Sequence, residues 1–277
     1  MKKLPPSRSG LRPSSLGPFF QNVRVVVALG RRSIRQTFRR PQLMAPIIIF
    51  PSLLLAVQTG GAGRAVDLPG FPEVNGFLDF MLAGAMIQSC LLAGNSGGIA
   101  LAVDIEMGFT DRLLAAPISR FAMVLGRLAG TAALGAFSAV YYVVVGLIFG
   151  AQIEEGLLGI ALMIVFVTLS AVAFGGIGAA IALRSGSASV VQGLFPLVFV
   201  ILFLSSAFFP YELMQEPAST IAEYNPVSFI VEGVRDPVIS TLTGSDAWKA
   251  FASILGIGGV SLALSAGALR HRLRTGG

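Results

Sequence analysis

Charge is what this sequence has least of: only 12% of its 277 residues are Asp, Glu, Lys or Arg, against 54% hydrophobic. A water-soluble domain carries about a quarter charged residues, so the deficit excludes one and points to a membrane protein. Cysteine is nearly absent too; Cys90 stands alone, which rules out an intrachain disulfide. The one histidine, His271, lies in a basic stretch where solvation is the natural role. No Walker A pattern, zinc-ligand cluster or nucleophile constellation occurs. Glu154 and Glu155 are neighbours in a short turn and would not face each other as an acid–base pair, so no catalytic residues are expected and the expectation is not an enzyme. Ionisable groups are scarce within the apolar runs as well. Asp79 lies near one end of its run, and Arg127, about two turns into another, can snorkel to the interface. Ion-coupled carriers place ionisable residues mid-membrane, so energy for any vectorial transport has to come from elsewhere.

What is present is a succession of apolar runs, at 42–58, 77–103, 121–149, 157–183, 188–209 and 248–269, each a candidate to cross a hydrocarbon core of ~30 Å. Pro46 and Pro51 interrupt the first. None shows the alternation of barrel strands, so the expectation is an all-α integral membrane protein with six transmembrane helices in a domain over 42–270. With an even count, all but three of the 20 Lys+Arg fall on one side, leaving Arg64, Arg235 and Lys249 opposite. The positive-inside rule then puts both termini in the cytoplasm. Net charge +6 reflects this topology and contact with anionic lipid rather than nucleic-acid binding. Residues 1–18 are Pro/Ser/Arg-rich without an apolar core, which reads as a disordered cytoplasmic tail and not a signal peptide; 271–277 form a second cytoplasmic tail. Arginine far outnumbers lysine and Ala and Gly abound, which fits a bacterial source and a plasma (inner) membrane.

Residues 19–40 are amphipathic, with Phe20, Val23, Val27, Ile34 and Phe38 at helical spacing and Arg24, Arg31, Arg35 and Arg39 on another side. This predicts a helix lying in the cytoplasmic interface, broken from the first span by Pro41. It serves either as a lipid anchor or as a dock for a cytoplasmic partner. Gly94, Gly97 and Gly98, and Gly175, Gly176 and Gly178, allow close helix approach. Gln88, Asn95, Gln192, Ser205 and Ser206 are intramembrane polar residues that neighbouring helices satisfy or that line a path. Segment 210–247 is too long and apolar for a plain loop; Asn225-Pro226 predicts a turn with Pro226 opening a short helix, a re-entrant or interfacial cap on the external side.

The most structured polar insert runs from Glu106 to Arg120, within the loop 104–120. Thr110 or Asp111 can cap a helix start, Leu113, Leu114 and Ile118 supply apolar contacts, and Pro117 ends the turn. From the residue pattern, a helix resting on lipid and a helix pressing on a cytoplasmic partner are both open. Glu106-x-Gly108-x-x-Asp111-Arg112-Leu113-Leu114-x-x-Pro117-Ile118-Ser119-Arg120 resembles the cytoplasmic coupling loop of type-2 ABC exporter permeases, closest to the daunorubicin/doxorubicin-resistance branch, with Met107 replacing the usual basic residue and Thr110 the usual leucine. Asn225-Pro226-Val227-Ser228-Phe229, followed by Glu232-Gly233-x-Arg235, resembles the Asn-Pro segment before that family's last span.

The resemblance implies a permease subunit that pairs with a second permease subunit, as a homo- or heterodimer, and with two copies of an ATP-binding subunit. The cytoplasmic coupling helix, through Glu106, Gly108, Asp111, Arg112, Leu113, Leu114, Pro117, Ser119 and Arg120, would contact that ATPase. Spans two and five would line the path, and Asn225, Pro226, Phe229 and Arg235 would form an external gate. No cofactor is expected in this chain; ATP and magnesium would belong to the partner. A lipophilic drug, antibiotic or lipid suits the apolar path, since one Trp and four Tyr offer few glycan platforms, although 20 Phe soften that contrast. A polysaccharide or glycolipid permease, an ion-coupled carrier without ATPase, and an assembly or regulatory subunit are the other readings.

Overall fold

The computed structural model describes residues 18–109, 120–239 and 244–275. These form ten α-helices and no strand: α1 Pro18–Phe38, α2 Pro41–Ala62, α3 Phe77–Glu106, α4 Arg120–Ile148, α5 Gly156–Ser185, α6 Ala188–Gln192, α7 Phe195–Phe203, α8 Ala218–Tyr224, α9 Pro226–Ile239 and α10 Gly244–Thr275. Five of them, α2, α3, α4, α5 and α10, are long and apolar enough to cross a membrane. The expected tail 1–18 lies outside the described residues except for Pro18, and α10 carries the last span on to Thr275.

A single helix over 188–209 is not what forms. α6 stops at Gln192, Gly193 and Leu194 turn, and α7 starts at Phe195. Pro196 has no N–H to give the Gln192 carbonyl, so a helix cannot run through this point with its ladder intact. The broken segment still travels the length of α3. The N–H of Ala188 meets Glu106 at one end, and Ala207 lies against Gly84 near the other, where any Cβ would collide with its carbonyl. Those two α3 positions are about 33 Å apart at 1.5 Å per residue.

Around α3 the other helices assemble; 94% of its apolar window is buried, against 17% for α2 and 22% for α10. Small residues set the approach, as expected. A Cβ on Gly98 would stand 2.8 Å from the Cα of Gly178 in α5, and one on Gly94 2.9 Å from the Gly175 nitrogen. Gly97 abuts Thr131 of α4. Backbones this close gain contact that lipid-sized side chains would prevent.

Pro46 and Pro51 do not break α2. Pro51 leaves the Ile47 carbonyl without its intrahelical donor, and the Tyr142 hydroxyl of α4 lies 3.3 Å from it and 2.9 Å from the Ile48 carbonyl. Ser52 Oγ lies 3.2 Å from that hydroxyl, completing its bonding.

α1 packs along α4 largely through small residues and Leu29. Gly30 and Thr37 are buried; Ser33 Oγ donates to the Arg127 carbonyl at 3.0 Å, and Leu29 lies against Gly126. Val23, Val27, Ile34 and Phe38 remain exposed. The helix therefore presents two faces outward, one apolar and one basic.

Candidate functional site

Polar side chains gather at both ends of α3. At its C-terminal end, Asp104 is 2% exposed, accepts two hydrogen bonds and faces a third cation. Gln36 Nε2 of α1 donates to Oδ1 at 3.1 Å, the Arg127 guanidinium of α4 pairs with Oδ2, and Arg32 of α1 lies 3.7 Å from that oxygen. A carboxylate withdrawn from water this far needs such partners; removing one of a buried pair typically costs about 3–5 kcal/mol. Arg32 also stacks over the Phe109 ring, 3.6 Å from its centroid, so residues just beyond α3 are tied to α1. The cluster thus joins α1, α3, α4 and the start of the loop.

Glu106 ends α3, and its Oε1 accepts the Ala188 N–H at 2.7 Å. That N–H is one of the free donors at the start of α6, so a carboxylate there is favoured by hydrogen bonding and by the helix dipole. Gly108 turns the chain with φ +68°, a left-handed conformation that costs glycine little. Arg120 opens α4. Thr110, Asp111, Arg112, Leu113, Leu114, Pro117 and Ser119 lie outside the described residues.

At the other end, Asn225 does two jobs. Its Oδ1 accepts the Val227 N–H at 2.9 Å, capping α9 behind Pro226. Its Nδ2 donates to the Leu204 and Ile201 carbonyls at 2.7 and 3.0 Å, closing the C-terminal end of α7. Arg235 is 1% exposed. It donates to the Phe80 carbonyl at 3.2 Å, the Ser206 carbonyl at 2.8 Å and Glu232 Oε1 at 2.7 Å, while stacking on the Phe80 ring at 3.8 Å. Ser206 Oγ donates in turn to Glu232. Phe229 lines a cleft of about 370 Å³ with Phe80, Tyr211, Glu232 and Arg235. Burial, and then bonding with Glu212, push the Tyr211 hydroxyl above the ordinary tyrosine range, so it stays neutral.

Between the ends, Gln88 and Asn95 share by helical period the face of α3 that Gly84 turns to Ala207. Gln88 is fully buried, and neither Oε1 nor Nε2 has a hydrogen-bond partner among the described residues. Ser205 Oγ is satisfied locally by the Leu202 carbonyl at 2.6 Å. Gln192 ends α6, exposed, near the Glu106 end. The five candidate path residues are therefore dispersed, and Ser206 belongs to the cluster around Arg235.

Asp104, Gln36, Arg32, Phe109 and Phe80 enter this picture from the structure. A signal for the Asp104–Arg127 pair existed: they are opposite charges at comparable depth on the two arms flanking one loop.

Comparison with known proteins agrees in kind with this arrangement. A family model described as ABC-2 type transporter matches residues 24–238. The "Putative transport permease ycf38" of Porphyra purpurea is 27% identical over 223 residues, covering 78% of this chain and 74% of its own length. The "Daunorubicin resistance ABC transporter permease protein DrrB1" of Streptomyces coeruleorubidus is 24% identical over 239 residues, covering 80% and 83% respectively.

Proposed function

This chain belongs to the ABC-2 type transporter family, and on that premise we propose that it is the membrane-spanning subunit of an ATP-driven exporter that moves a lipophilic drug, antibiotic or lipid outward. The observation that carries this reading is the way the loop end of α3 is bound. Asp104 joins it to α1 and α4, and Glu106 joins it to the start of the broken α6–α7 segment. A force applied at the loop by a cytoplasmic motor is delivered through these bonds to three helices together. The buried Asp104–Arg127 pair transmits such a displacement because separating it is costly, and the Glu106 bond adds a charge-assisted link at the surface.

In this reading α6 and α7 together make a sixth crossing, supported by their run along some 22 positions of α3, and both termini are cytoplasmic. The motor is a pair of ATP-binding subunits that supply ATP and magnesium; a second permease subunit completes the path. Residues 106–120 form the contact with the ATPase, and Asn225, Pro226, Phe229 and Arg235 steady the external exit. The daunorubicin-resistance relative supports a lipophilic cargo, as does the apolar character of the helices.

Co-expression with candidate ABC ATP-binding subunits is the test. The reading expects a stable complex of equal numbers of both subunits, lost when residues 106–120 are replaced by a Gly/Ser linker of the same length. Wild-type chain that purifies alone under all conditions contradicts it.

A further inference from the structure

The surface of α1 divides into three sectors that no single role explains. Taking 100° per residue, Val26, Leu29, Gly30, Ser33 and Thr37 occupy one sector, against α4. Val23, Val27, Ile34 and Phe38 occupy the next, with Val27 63% and Phe38 42% exposed. Arg24, Arg31, Arg35 and Arg39 fill the third, all exposed. Phe38 also meets Phe137 of α4 edge-on at 5.6 Å, so the C-terminal part of α1 is level with the membrane-spanning part of α4.

The basic sector forms an open groove of about 630 Å³ lined by Ala28, Arg31, Arg35, Gln36, Arg39 and Arg40, with Arg32 at its edge. Arg31, Arg35, Arg39 and Arg40 form no ion pair among the described residues. Guanidinium groups one turn apart on a helix repel each other. An anion bound among them turns that repulsion into attraction.

We propose that this groove binds the phosphate of an anionic phospholipid from the cytoplasmic leaflet, whose acyl chain lies along Val27, Ile34 and Phe38. Arginine forks match phosphate oxygens in geometry and charge. The adjoining apolar sector decides the occupant. A free phosphate has nothing to place there, and the acidic surface of a water-soluble partner would leave it in water. A phospholipid covers both sectors at once. Arg32 belongs to the edge of this groove and also to the Asp104 cluster, so headgroup and Asp104 draw on the same guanidinium. The assignment requires that the helices span a membrane, not that the chain transports anything.

The test is native mass spectrometry of the full-length chain in detergent, supplied with equal phosphatidylglycerol and phosphatidylcholine. The comparison is the Arg31→Gln/Arg35→Gln/Arg39→Gln variant, with Arg64→Gln as a control exposed elsewhere. Each arginine near an anionic headgroup contributes several-fold, so the triple variant loses phosphatidylglycerol affinity by on the order of a hundredfold. Phosphatidylcholine retention and the Arg64→Gln control stay as in wild type. Equal phosphatidylglycerol retention by wild type and triple variant overturns the proposal. So does full displacement of the lipid by millimolar inorganic phosphate, which would make the groove a plain anion site.

Discussion

The Glu106 carboxylate accepts the backbone N–H of Ala188 at 2.7 Å, joining the last residue of α3 to the first of α6 across 82 positions of sequence. A side chain that first reads as turned toward a cytoplasmic partner is thus engaged inside the subunit. Its bond lies between the loop and the broken helix.

Glu106→Ala frees the Ala188 N–H and removes that link. A hydrogen bond to a charged group contributes about 1.5–3 kcal/mol, so export should fall about ten- to a hundredfold while ATP hydrolysis by the complex persists. Glu106→Gln keeps an acceptor oxygen and most of the flux. Hydrolysis and flux measured side by side decide the matter; unchanged export in the alanine variant removes Glu106 from the transmission route.

Tyr142→Phe takes away the hydroxyl that serves the Ile47 carbonyl freed by Pro51. The expected loss is about 0.5–1.5 kcal/mol. Pro51→Ala restores the missing N–H to that carbonyl, so the tyrosine should matter less in its background. A double-mutant cycle of unfolding in detergent reads the coupling; strict additivity would mean that hydroxyl and proline are unrelated.

Arg235→Met leaves Glu232 and the Phe80 and Ser206 carbonyls without their donor in a site that is 1% exposed. A cost of about 3–5 kcal/mol is expected. Glu232→Gln, at a position whose side chain is 34% exposed, should cost clearly less. Melting temperatures of the two variants give the order, and the reverse order would contradict the central role of the arginine.

Gln88→Leu removes a buried amide that has no partner among the described residues. Stability should rise by about 1 kcal/mol, since an unsatisfied polar group is costly to enclose. If the amide meets cargo when α7 parts from α3, transport falls in the same variant. Lower stability would instead reveal a partner for Gln88 in the resting state.

Much of this arrangement is legible in the residues. The basic and apolar rows of α1, the break at Pro41 and the Asn225-Pro226 start of α9 all follow from local preferences, and the structure has them. The failures have physical causes. Composition made 188–209 one apolar run, but the ladder bond denied by Pro196 divides it. Periodicity separated an apolar and a basic row on 19–40 but gave no sign of the small-residue row, Gly30, Ser33 and Thr37, by which α1 also packs along α4. Arg127 read as a snorkelling base; the hairpin of α3 and α4 brings it instead to Asp104, a partner whose opposite charge at comparable depth was the one available signal.

The most direct test of the account is flux of a lipophilic fluorescent probe in vesicles containing this chain with its ATP-binding subunit. The account predicts probe movement that requires hydrolysable ATP on the cytoplasmic side and stops when a non-hydrolysable analogue replaces it. Movement that continues unchanged without ATP, driven by an ion gradient or by none, would contradict it.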